Sequence, residues 1–361
     1  MDHQGRLSRA RLTLEQSDLD ALLVTHLPNI HYLCGFTGSA GVLIVSHSKA
    51  TVFFSDGRYT QQASEEVRGA AIKIQPGKSA LAAACDWLAR QKSWRRVGIE
   101  ADHLTVTDRD TYAKALRGKA KLVAAPPIVE RQRMIKDAGE IAKIRAACHL
   151  GAALFDRLLE VARPGVSESE VAAELEFAAR RLGADQMSFP SIIAGGARSA
   201  LPHGRASQAT LPLRGFIVCD FGVILSGYCS DMTRTLHLGR PSKKDRQAYQ
   251  AVQEAQQAAL DAVKPGVKVG EVDRAARMLL QKKGLAKFFT HSTGHGVGLE
   301  IHEAPRVAAG QREALQPGMV ITVEPGVYLP GKFGIRIEDT VVVTDSSCEI
   351  LTQCSKDLVI I

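Results

Sequence analysis

The sequence predicts an α+β protein in two parts: a smaller α/β domain over residues 1–127 and a pseudo-twofold α+β domain over residues 128–361. Three observations carry that prediction. Short apolar runs alternate with helical periodicity through the first third of the chain. Two adjacent prolines, Pro126 and Pro127, then force extended backbone and end regular structure. Beyond them a helix-then-strand pattern occurs twice, opened each time by Pro-Gly-Val. At 361 residues the chain is long enough for each part to bury its own core.

The elements follow in order. Residues 6–17 have helical character, and Ala21 to Thr25 (ALLVT) is an apolar run of the kind a buried strand shows. Gly41 to Val45 and Thr51 to Phe54 continue the strands. Asp56-Gly57 is a turn signal, so DGRY reads as a helix entry and Tyr59 to Val67 as the helix behind it. Leu81 to Gln91 is a helix with Trp87 on its apolar side, and Val97 to Ile99 returns as a strand. A long helical pattern over Lys136 to Leu159 opens the second domain. There Pro164-Gly165-Val166 leads into a helix and then the strand GFIVCDFGV, Gly215 to Val223. Pro265-Gly266-Val267 leads into another helix and then GMVITVEPGV, Gly318 to Val327. Asp220 and Glu324 stand at matching places, each two residues before a Gly-Val pair. Matching carboxylates meet near the axis of such a repeat.

Composition narrows the function. Apolar residues at 45% and charged residues at 23% are ordinary for a globular protein. The net charge of +8 is spread over scattered basic residues, with only short clusters such as Arg95-Arg96 and Lys243-Lys244. That pattern is a solvated surface, and no nucleic-acid partner is expected. The seven cysteines are odd in number and lack C-x-x-C spacing, which fits a reduced, cytoplasmic setting. No apolar h-region follows MDHQGRLSRARL, and no apolar run reaches about 18 residues, so neither a secretory signal nor a membrane span is expected.

The chemistry lies in the repeat. Asp220 sits in an apolar strand, and Leu225-Ser226-Gly227 is a turn that returns the chain to Asp231 in YCSDMTRT. Cys219, its neighbour, points to the opposite face and reads as packing. Glu324 and Glu338 repeat the arrangement around Pro330-Gly331-Lys332. A carboxylate on a buried strand is costly unless paired or bound to a cation. Four that converge would hold some members protonated. Two divalent cations, roughly 3.5–4 Å apart and bridged by carboxylates, resolve the conflict and suit hydrolysis. The segment HSTGHGVGLEIH adds His295, with Gly294, Gly296 and Gly298 around it, and His291 and His302 at its ends. His203 lies in the loop-like LPHG. Oxygen dominance in the ligand set points to Mn²⁺, with Co²⁺ or Zn²⁺ also compatible. Other motifs fail: Gly77-Lys78-Ser79 lacks the leading glycine of a P-loop, and there is neither a G-x-S-x-G elbow nor an H-E-x-x-H.

On CDFG with SDMTRT, HSTGHGVGLEIHE, ITVEPGVY and GIRIEDT, the chain resembles the proline-specific pita-bread metallopeptidases. These are aminopeptidase P and prolidase, relatives of methionine aminopeptidase. The first domain, with FTGSAG and DGRY, is similar to the creatinase/prolidase N-terminal domain. The resemblance implies a role for each residue. Asp220 serves one metal, Asp231 and Glu338 bridge both, and His295 and Glu324 complete the second. Glu324 is also the implied proton shuttle. His203 and His302 contact the scissile amide, and His291 lines the proline-side pocket. Arg336, two residues before Glu338, orients a bridging carboxylate or contacts substrate. Phe189, Tyr228 and Tyr328 are candidate walls for the proline ring. The expected activity is that of an Xaa-Pro aminopeptidase acting on proline-containing peptides, with an Xaa-Pro dipeptidase as the alternative. A metal-free binding module or a creatinase-like amidinohydrolase would have lost ligands that this chain keeps. The family further implies a homodimer.

Overall fold

The computed structural model describes residues 2–48 and 50–361. The chain forms two compact units, Met1–Arg133 and Met134–Ile361. In the first, six strands lie in the order Ala71–Ile74, Val52–Ser55, Val42–Ser46, Ala21–Val24, Arg96–Ile99, Lys121–Ala124. All run parallel except Val42–Ser46. Ala21–Val24 and Val42–Ser46 are buried along their whole length, which is why they read as unbroken apolar runs rather than alternating ones. The helix expected to reach Gln91 ends at Leu88, and Trp94 beyond it is the fully buried indole, with Trp87 packed edge-on at 5.5 Å.

The double proline ends a strand but not the domain. The helix Ile128–Met134 follows it, and Glu130 and Arg133 bond Asn29 at 2.6 and 2.7 Å. The division between the units therefore falls after Arg133 rather than at 127/128.

The second unit is built twice. The helices Ala138–Val161 and Glu168–Arg181 pair in one half, and Lys243–Ala262 and Val269–Lys282 in the other. Asp137 and Glu140, Ser167 and Glu170, and Ser242 and Asp245 form reciprocal capping boxes, each satisfying two otherwise orphaned backbone donors. Each Pro-Gly-Val makes the same turn with the same bonds. Gly165 N donates to Leu211 O at 2.9 Å and Leu211 N to Val166 O at 2.8 Å. Gly266 N donates to Leu315 O at 2.8 Å and Leu315 N to Val267 O at 2.9 Å. Gly165 and Gly266 have φ of +87° and +83°, with nothing within 4 Å of an added Cβ, so the backbone angle and not crowding selects glycine.

The strands repeat as well. Gly215–Phe221 lies between Ile192–Gly195 and Met232–Leu238, and Val320–Val323 lies between Gly294–Gly296 and Asp339–Val343. Thr233 stands opposite Asp220, and Asp339 opposite Val323. Within each half a small hairpin is inserted before the returning strand. One turns at Ser226 and Gly227 (φ 51° and 80°), the other at Gly331 (φ 70°). Each half keeps its own core: Leu154, Leu175, Ile217 and Leu236 in the first, Val252, Val272, Ile321 and Val341 in the second. Full burial of such side chains stabilises by about 1.5–3 kcal/mol each. The duplicated hairpins leave their acidic residues facing one another across the repeat.

Candidate active site

A cavity of about 770 Å³ in the second unit has all nine expected residues in its wall: His203, Asp220, Asp231, His291, His295, His302, Glu324, Arg336 and Glu338. Strand ends supply the acids. Asp220 lies within Gly215–Phe221, Asp231 precedes Met232–Leu238, Glu324 follows Val320–Val323, and Glu338 precedes Asp339–Val343. Cys219 points away into the first half's core.

Ligand atoms of Asp231, His295 and Glu338 all lie within 4.8 Å of one another. His295 Nδ1 is 3.1 Å from Gly296 O, a contact that places its hydrogen there and leaves the Nε2 lone pair free. Nε2 is 3.5 Å from Asp231 Oδ2 and 3.5 Å from Glu324 Oε1. Two carboxylates present one engaged and one orphaned oxygen. Arg336 holds Asp220 Oδ2, and Thr233 Oγ1 donates to Glu338 Oε2 at 2.6 Å. Asp220 Oδ1 and Glu338 Oε1 are buried without a hydrogen-bond partner among the described residues. Buried carboxylate oxygens are rarely left so, and clustered carboxylate oxygens with a neutral imidazole nitrogen among them fit divalent cations.

The electrostatics agree. Burial pushes all four carboxyls up. Glu338, Asp220 and Glu324 push Asp231 further, and Glu324 and Asp220 push Glu338 further. Glu324 is raised to about 7, with Arg336 opposing the effect of burial. Burial lowers His295 to about 4, so its ring is neutral near pH 7, as a ligand must be.

Arg336 is the hub of the supporting shell. Buried, it reaches Asp220, Thr233 Oγ1 at 3.0 Å, Pro202 O at 3.0 Å and Tyr328 Oη at 2.6 Å. Thr233 in turn donates to Glu338, so one guanidinium orients two of the four acids. All three of its guanidinium nitrogens bond protein groups. His291 Nε2 lies 2.9 Å from Tyr328 Oη and Nδ1 2.8 Å from Ser292 O, so it offers the cavity a ring rather than a free nitrogen. His203 and His302 are exposed at the cavity wall, and the His302 ring meets His295 edge-on at 4.4 Å. Of the three expected aromatic walls only Phe189 lines the cavity. Tyr228 is buried with its hydroxyl donating to Glu140 at 3.0 Å, and Tyr328 is buried behind His291.

The structure adds Arg205 and Arg306 to the wall, two residues that sequence reasoning passed over. Arg306 lies within the strand Glu303–Val307, just beyond His302, and no motif in the sequence marked it. Thr233 was hidden because its role depends on register: it stands directly opposite Asp220.

A carboxylate–histidine cluster on a duplicated β-scaffold, with oxygens left open for cations, defines a metal-dependent hydrolase. The chain belongs to metallopeptidase family M24, whose model matches residues 142–345, and residues 6–135 match the creatinase/prolidase N-terminal domain. It is 34% identical to an Xaa-Pro dipeptidase of Pyrococcus horikoshii over 96% of each chain. Among solved structures, an Xaa-Pro dipeptidase from Bacillus anthracis is 39% identical with a TM-score of 0.94, covering 99% of this chain and all 100% of that one. An X-Pro aminopeptidase from Thermotoga maritima is 35% identical with a TM-score of 0.88, covering 97% of this chain and 100% of the other. The family implies divalent metal ions. No described helix is long and apolar enough to cross a membrane.

Proposed function

We propose that this chain is an Xaa-Pro dipeptidase, a prolidase, rather than the aminopeptidase that the sequence motifs favoured. One observation carries this reading. Arg205 and Arg306 line the cavity, and neither guanidinium has an ion-pair or hydrogen-bond partner among the described residues. Unpaired cations beside a peptide-bond-cleaving site suit a substrate that ends in a free carboxylate just beyond proline. The dipeptidases among its relatives support the same choice.

In this reading Asp220 would serve one metal, Asp231 and Glu338 both, and His295 and Glu324 the second, with Mn²⁺ favoured by the oxygen-rich set. When bound, the cations neutralise the clustered acids and lower the pKa of water. Glu324 accepts the proton of the attacking water and passes it to the proline nitrogen as the amide breaks. His203 and His302, both in the cavity wall, would hold the scissile carbonyl oxygen as it gains charge. His291 and Phe189 supply flat apolar surface for the ring. A prolyl nitrogen carries no hydrogen, so the site needs no acceptor there.

The test is an Xaa-Pro substrate assayed beside Xaa-Pro-Xaa, with Mn²⁺, Co²⁺ or Zn²⁺ added to metal-free protein. Cleavage of the dipeptide alone is expected. Arg306→Ala is expected to raise KM for Xaa-Pro about tenfold or more, the cost of one charge-assisted hydrogen bond. Equal cleavage of the tripeptide by the wild type would overturn the dipeptidase reading.

A further inference from the structure

Two helices that never reach the cavity each send a buried carboxylate to a segment that does. In the second half, Asp273 on the helix Val269–Lys282 accepts from Thr293 Oγ1 at 2.8 Å and Thr293 N at 3.2 Å. Arg277, one turn on, donates to the same carboxylate at 2.7 and 3.1 Å. It continues to Phe289 O at 3.0 Å and to His291 O. Thr293 stands two residues from both His291 and His295. Its carbonyl accepts from Glu324 N at 2.7 Å, and His295 N donates to Oγ1 of Thr322, two residues before Glu324, at 3.1 Å. Asp273 thus fixes the one residue to which the His295 segment and the Glu324 backbone are both tied.

The first half has a counterpart. Glu168 on the helix Glu168–Arg181 is buried and accepts from Gly195 N at 2.9 Å, Ser207 Oγ at 2.7 Å and Arg198 Nε at 3.0 Å. These donors bracket the segment 195–207, which carries His203. Each carboxylate is ionically paired and fully hydrogen-bonded, so each is a rigid anchor rather than a buried liability. Their targets differ in kind: the one segment bears expected metal ligands, the other an expected substrate contact.

We propose that Asp273 is a positioning residue for the His295–Glu324 part of the metal-ligand set, and that Glu168 positions His203 without acting on the metals. The inference rests on the metal reading given under Proposed function. Groups behind metal ligands commonly change metal affinity by about 10–100-fold when removed. Neither Asp273 nor Thr293 is in the cavity wall, so a change in metal affinity would travel through the bonds described.

The experiment titrates Mn²⁺ into metal-free full-length protein by calorimetry, with melting of the metal-free state and dipeptide kinetics in parallel. Asp273→Asn and the near-isosteric Thr293→Val are each expected to weaken Mn²⁺ binding about 10–100-fold. Thr293→Ser, which keeps the hydroxyl, is expected to bind as the wild type does. Glu168→Gln is expected to keep wild-type Mn²⁺ affinity while kcat/KM falls. If Asp273→Asn does not fold, Thr293→Val against Thr293→Ser decides. Lowered melting temperatures with unchanged Mn²⁺ affinity would overturn the positioning role and leave a structural one. Failure of the wild type to bind Mn²⁺ at all would overturn the metal reading, and this inference with it.

Discussion

Glu324→Gln is expected to remove activity and yet stabilise the metal-free protein at alkaline pH. Burial is the main cause that lifts the Glu324 carboxyl from an ordinary 4.5 to about 7; Arg336 opposes the rise and Asp220 adds to it. The folded, metal-free protein therefore keeps this proton longer than the unfolded chain does. Stability tied to the group is fully present below pH 4.5 and is lost as pH rises through 7. From about pH 5.5 to 8 the loss is about 2 kcal/mol, at about 1.36 kcal/mol per unit until the slope fades around pH 7. Glutamine stays neutral and has no such slope. The stability of the variant relative to wild type, both in excess chelator, is thus expected to grow by about 2 kcal/mol between pH 5.5 and 8. For a unit the size of Met134–Ile361 this is a relative rise of about 4–8 °C in Tm. The assay is thermal denaturation of both proteins at the two pH values, which cancels the histidines common to them. A Tm difference that stays constant with pH, or shrinks toward alkaline pH, would refute the reasoning. With saturating Mn²⁺ the order is expected to reverse, since the cation then stabilises the ionised wild-type site.

Other outcomes follow from the same contacts. Arg336→Met breaks a buried ion pair and removes the donor to Pro202 O; urea denaturation is expected to show a loss of about 3–5 kcal/mol. A midpoint equal to that of the wild type would mean that Arg336 does not hold Asp220 in solution. Tyr328→Phe removes the hydroxyl shared by Arg336 and His291 and is expected to cost about 1–3 kcal/mol of stability. Proton NMR of the His291 ring should then show its Nε2 released from that contact, and an unchanged resonance would count against the link. Chelation is expected to abolish dipeptide cleavage, with recovery on adding Mn²⁺; full activity in chelator would contradict the family's metal chemistry.

Much of the site was readable in the chain because the second unit is a duplicated sequence. Pro164-Gly165-Val166 and Pro265-Gly266-Val267 announced equivalent turns, and both make equivalent hydrogen bonds. Acidic residues in apolar strands are conspicuous because burial makes them costly, so Asp220, Asp231, Glu324 and Glu338 could be picked out one by one. The alternation of side chains along a strand placed Cys219 in the core and Arg336 on the side of Glu338. What the sequence could not decide were distances across the repeat. Thr233 supports Glu338, and Arg336 reaches Asp220, only because antiparallel register and the closing of two halves bring them together. Tyr228 and Tyr328 look alike as aromatics after strand carboxylates, yet both turn inward, since each hydroxyl finds a buried partner there. The double proline marked the end of a strand, but contacts with Asn29 set the unit's limit at Arg133. Sequence alone determined the fold class and the identity of the clustered acids and histidines, because periodicity and the cost of buried charge are local properties. Only the tertiary structure decided which carboxylate oxygens and which cavity arginines are without a partner among the described residues, because both depend on neighbours far apart in the chain.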